Sequence, residues 1–127
     1  ARVLARPGRI ALMWNVRDGD DPFMQQYEKL VEEHAIAPVA SPWATGLDAA
    51  VLLRERFGNA RVRTFAHADR LSLPASLTRA RSASYNPNSG DAGDRFAEAL
   101  MRLARSFADQ DGLVRWSYRT ELFTSDL

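Results

Sequence analysis

An α/β fold is predicted by three features of this 127-residue sequence. A short, continuous apolar run, Ile10 to Trp14, reads as a strand covered on both faces, the kind found in parallel sheets. It leads through the Val16–Asp21 loop into an amphipathic helix. Near the other end, Val114, Trp116, Tyr118, Thr120 and Leu122 alternate with Arg115, Ser117, Arg119 and Glu121, the period of a half-buried strand. The order of elements is strand, helix, helix, strand, helices, strand, and no internal repeat is visible.

Each element has a local reason. Pro7-Gly8 punctuates a turn before the first strand, because Pro fixes φ and Gly accepts positive φ. Asp21 then Pro22 is a helix start: a capping carboxylate followed by Pro at the first helical position. Phe23, Tyr27, Leu30, Val31 and His34 fall on one helical face, so the helix is expected to reach about Ala35. Ile36 to Thr45, with Pro38 and Pro42, reads as a loop carrying Trp43. A shorter helix is expected from about Leu47 to Arg56, with Leu47, Val51 and Leu52 as its apolar face and Gly58 as its stop. Arg61 to His67 is strand-like. Leu73-Pro74 opens a helical stretch to about Tyr85. Asn86 to Asp94 is turn chemistry and is expected to be a mobile loop. Asp94 can cap a long helix to about Asp109, with Phe96, Leu100, Leu103 and Phe107 at helical spacing.

Composition narrows the class. The chain is one domain's worth of sequence or less. Hydrophobic residues at 46% and charged residues at 26% are ordinary for a globular protein. A net charge of +1 implies no global attraction to nucleic acid or membrane. With no cysteine, disulfides, thiolate metal sites and Cys nucleophiles are excluded. No apolar run approaches the ~20 residues that cross a bilayer, and no signal peptide is visible, so a cytoplasmic protein is expected. Because the chain opens on Ala1, and Ala1–Ala5 reads as the last turn of a helix already under way, the domain is expected to begin upstream.

Five groups carry possible chemistry. Asn15 ends the first strand, and in open α/β sheets ligands bind outside the carboxyl ends of strands; its structural role would be to satisfy local backbone. Asp18, Asp20 and Asp21 suit a hard cation, but they lack the rest of an EF-hand loop, and a solvated loop with a cap is the better reading; no metal is expected. His67 near Asp69 could form a base and its orienting carboxylate, or merely a turn, while His34 reads as a packed histidine. Arg79, Arg81, Ser82, Ser84 and Tyr85 could fork onto and orient a carboxylate, or form a polar helix face. Trp14, Trp43 and Trp116 could make an aromatic wall, with Trp14 and Trp116 better read as core.

The stretch "RVLARPGRIALMWNVRDGDDPF", with "RSASY" and the terminal "YRTELF", resembles the second half of class I S-adenosylmethionine-dependent methyltransferases of the small-molecule type. There a Leu-x-Pro-Gly-Gly turn precedes the fifth sheet strand, which ends in Trp-Asn. This chain departs from that pattern with a single Gly8 followed by Arg9. The resemblance implies a partial Rossmann-like methyltransferase sheet with flanking helices, its fifth strand joined by a C-terminal antiparallel strand pair. It implies substrate binding by Asn15, Arg81, Ser84 and Tyr85, a small-molecule acceptor for which a carboxylate would suit the arginines, and S-adenosylmethionine as the parent enzyme's cofactor. The family's Gly-rich loop and acidic strand end, which hold the cofactor, have no counterpart here: no G-x-G occurs. The isolated chain is therefore expected to be inactive and not to bind S-adenosylmethionine. The rival expectation is a non-catalytic binding module, a possible homodimer through an exposed sheet edge.

Overall fold

The computed structural model describes residues 7–37 and 48–126. In chain order the elements are β1 (Arg9–Arg17), α1 (Pro22–His34), α2 (Ala49–Phe57), β2 (Arg61–Ser72), α3 (Leu73–Arg81), α4 (Gly90–Phe107) and β3 (Leu113–Asp126). The strands form one three-stranded sheet in the order β1-β3-β2. Arg9 meets Asp126, and the Thr120 hydroxyl meets Asn15, so β3 runs antiparallel to β1. Asn59, just before β2, donates to the Asp126 carbonyl while His67 lies on Tyr118, so β3 is antiparallel to β2 as well. The fold is mixed α/β with an antiparallel sheet. Among the described residues no helix is long and apolar enough to cross a membrane.

Two compact units divide the chain, one within residues 1–16, 41–67 and 118–127, the other within 17–40 and 68–117. In the first, α2 lays Ala49, Ala50 and Leu53 against Ile10, Leu12, Trp14 and Phe123. Asp48 caps α2 by accepting from the Ala50 and Val51 N–H groups, and Gly58 ends it at φ 80°, a left-handed conformation that glycine adopts without Cβ strain.

In the second unit, Trp116 is wedged edge-on against Phe23 and Tyr27 of α1, with ring centroids 5.2 and 4.8 Å away. Its indole N–H donates to the Ser76 hydroxyl, so the polar handle of the ring is satisfied inside the core. Helix α4 packs on α1 and α3 and buries Phe96, Leu100 and Ala104. Asp21 caps α1 through the Met24 N–H and also accepts from Ser117.

Several sequence expectations are corrected. Ile10–Trp14 is a strand but is not covered on both faces: β1 is an outer strand of this sheet, its residues alternate, and Met13 is 69% exposed. A run of apolar residues cannot by itself distinguish two covered faces from one. Val51 points outward, and the buried face of α2 is Ala49, Ala50 and Leu53. Helix α3 stops at Arg81 rather than near Tyr85. Helix α4 begins at Gly90, so Asp94 lies inside it and the loop is shorter than Asn86–Asp94. That loop is anchored at its start, since Asn86 and Pro87 are buried. Along β3 the buried positions change parity, from Val114 and Trp116 to Phe123 and Ser125, so the simple alternation to Leu122 does not hold. Trp43, Pro38, Pro42, Leu47 and the Ala1–Ala5 turn lie outside the described residues.

The approach to β3 is held by charge. Asp109 accepts from the Asp111 and Leu113 backbone N–H groups, and Arg70 of β2 donates to both Asp109 and Asp111. The Arg70 guanidinium, helped by those N–H groups, holds the Asp109 carboxyl below its ordinary range. A depressed folded value means the contribution is complete above the unfolded value of about 3.9 and disappears as pH falls through the folded one. Asp109→Asn is therefore expected to lower the urea midpoint at neutral pH and to have a shrinking effect below pH ~4. An equal effect at both extremes would show that the carboxylate charge is not what matters.

Candidate functional site

Asn15 sits near the end of β1, exposed, in the first unit. Strand pairing lines it up with Thr120 of β3 and His67 of β2. The Thr120 hydroxyl donates to Asn15 Oδ1 at 2.7 Å, and its oxygen lies 3.4 Å from His67 Nδ1. The His67 ring stacks on Tyr118, with centroids 5.5 Å apart at 21°. A polar row thus crosses all three strands. The expected His67–Asp69 pair is not formed: Asp69 takes Arg79 at 2.8 Å instead. Alternation explains only part of this, because residues two apart on a strand share a face but are spread along it.

Of the other proposed substrate residues, Arg81, Ser84 and Tyr85 belong to the second unit. Tyr85 is the best placed. Its hydroxyl accepts from Arg17 Nη2 at 2.6 Å, and its backbone carbonyl accepts from the Ile36 N–H. Arg17 also donates to Glu28 and lies over the rings of Tyr27 and Tyr85, at 5.1 and 5.9 Å from their centroids. Its side chain is 19% exposed, with two rings and a carboxylate beside the charge. Arg81 is half-buried, and its Nε has no hydrogen-bond partner among the described residues. Ser84 is exposed. Asn86, fully buried, donates to Tyr27 Oη and the Ala80 carbonyl, while its Oδ1 has no partner among the described residues.

The acidic cluster divides its work locally. Asp18 accepts from the Asp20 N–H, and Asp21 serves as the α1 cap. His34 packs edge-on to Phe96. Of the three tryptophans, Trp116 is core and Trp14 lies on Phe123, half-buried, donating to Glu121. A shallow cavity of about 430 Å³ opens at the start of β1, the opposite end of that strand from Asn15, between Pro7, Gly8, Arg9 and Asp126.

Sequence reading missed Arg17 and Thr120. Arg17 follows the apolar run by three positions, and nothing local marks its aromatic bed. Alternation puts Thr120 in the buried stripe of β3, and only the strand pairing shows it between Asn15 and His67. The chain matches no protein-family model and no curated protein.

Proposed function

We propose that this chain is the substrate-side half of an S-adenosylmethionine-dependent methyltransferase acting on a small molecule. The observation that carries the reading is the strand order: β3 lies between β1 and β2 and runs against both. An antiparallel pair beside the first strand is what the resemblance at Pro7–Asn15 implies. Within the second unit, Arg81, Ser84 and Tyr85 are the residues offered to the acceptor; Asn15, within the first, holds the Thr120 hydroxyl. A carboxylate oxygen brought to Arg81 Nε would meet a buried donor whose unmade bond costs about 1–3 kcal/mol.

The cofactor does not fit these residues. Close approach to a nucleoside needs a Gly-rich turn, and the ribose hydroxyls need an acidic strand end. The polar side chains near the end of β1 and late in β2 are taken: Asn15 by Thr120, Asp18 by the Asp20 N–H, and Asp69 by Arg79. What the chain itself does is bind and orient the acceptor, since holding the reacting groups in line lowers the barrier without a covalent intermediate.

Calorimetry tests this directly. The 127-residue chain is expected to show no heat with micromolar S-adenosylmethionine. The full open reading frame that encodes it is expected to carry a Gly-rich strand-loop-helix before Ala1 and to bind the cofactor. A reading frame without that element, or micromolar binding by the chain alone, would overturn the proposal.

A second reading, a non-catalytic module that pairs with a second copy, is favoured by β2. Its residues from Arg61 to Ala68 are exposed on both faces, and β2 ends the sheet. Light scattering on the same sample distinguishes it: a concentration-independent monomer excludes strand-edge pairing.

A further inference from the structure

The row Asn15–Thr120–His67 has a chemical consequence at its far end. A threonine hydroxyl carries one proton. Here that proton lies on Asn15 Oδ1, so the Thr120 oxygen meets His67 Nδ1 only as an acceptor. That contact favours the neutral tautomer with its proton on Nδ1, which leaves the Nε2 lone pair free. Among the described residues Nε2 has no partner, and the ring is exposed. Stacking on Tyr118 limits how the ring can turn.

We infer that His67 Nε2 is a fixed hydrogen-bond acceptor at a small-molecule site on this part of the sheet, taking an O–H or N–H donor of an anionic, partly apolar ligand. The ligand class follows from the same strand. Residues two apart share a face, so Arg63, Phe65 and His67 lie in line. Phe65 is 50% exposed, offering an apolar surface between the two polar ends. Arg63 is exposed, and among the described residues it makes no ion pair, whereas Arg61 is drawn to Asp126. A ligand with a carboxylate at one end and a hydroxyl at the other matches cation, apolar surface and acceptor in order. Thr120 and Asn15 are positioning residues; His67 is the group that touches the ligand. The inference goes beyond the proposed function: the site lies within the first unit and includes none of Arg81, Ser84 and Tyr85.

Nitrogen-15 spectra of the imidazole ring test it in this chain. The wild-type His67 ring is expected to be protonated on Nδ1 at a pH where it is neutral. Thr120→Val is expected to move the proton to Nε2, the commoner position, and Thr120→Ser to restore the wild-type pattern. Titration with millimolar 4-hydroxybenzoate is expected to shift the His67 Nε2 resonance, and Arg63→Gln to weaken that shift several-fold. Benzoate, which lacks the hydroxyl donor, is expected to leave the resonance unmoved.

An Nε2-protonated ring in the wild type, or a tautomer indifferent to Thr120→Val, would overturn the assignment. So would equal shifts with both acids, or none with either. None of these readouts requires cofactor or methyl transfer. Failure here leaves the methyltransferase reading standing, and failure of the calorimetric test leaves this site standing.

Discussion

Trp116→Ala is expected to be the most destabilising single change in the second unit. The side chain is 1% exposed, and truncation removes its contacts with Phe23 and Tyr27 together with the bond to Ser76. Large-to-small changes of this kind cost about 3–5 kcal/mol, since the cavity only partly collapses. The Ser76 hydroxyl, itself buried, is left without its donor and adds to the loss. A domain with a typical stability of about 5–15 kcal/mol would lose a large fraction of it. Urea unfolding followed by circular dichroism measures the effect. Trp116→Phe, which keeps most of the apolar volume but not the N–H, is expected to fall between the two. A loss of under ~1 kcal/mol for the alanine variant would show that this aromatic cluster is not the core of the unit.

Gly93→Ala is the second large effect, and its cause is different. Gly93 lies in the first turn of α4 and is buried. A Cβ there would stand 2.9 Å from the backbone carbonyl carbon of Asn88. Real Cβ atoms do not come so close, and the obstacle is backbone rather than the tip of a flexible side chain. Alanine ordinarily gains about 1 kcal/mol over glycine in a helix. Here overpacking, at about 1–3 kcal/mol, reverses that gain. Gly19→Ala is the matched control, because nothing lies within 4 Å of its Cβ position. The expected result is a lowered midpoint for Gly93→Ala and a nearly unchanged one for Gly19→Ala. A stabilised Gly93→Ala protein would mean that α4 does not start against the Asn86–Ser89 loop.

That loop shows where local rules stop. Asn86–Asp94 contains the residues that favour turns, and turn propensity alone makes it look solvated. Yet Asn86 is fully buried, tied to Tyr27 and the Ala80 carbonyl. Tyr27, 59 residues away in sequence, is brought there only by the docking of helices. Asp94 was an equally good cap on local grounds, but the helix starts earlier because Gly93 lets its first turn come against Asn88.

What the sequence determined by itself was the set of elements: three strands, the Asp21-Pro22 start of α1, the Gly58 stop of α2, and the helical stripe Phe96–Leu100. These depend on caps, breakers and periods, which act within a few residues. Only the tertiary structure decided the rest: that β3 runs between β1 and β2, that Trp116 and Phe123 serve different units from one strand, and that Asp69 takes Arg79 while His67 meets Thr120. Pairing and burial depend on which distant surfaces come together, and a side chain's partner is whichever group the packing brings within hydrogen-bond reach.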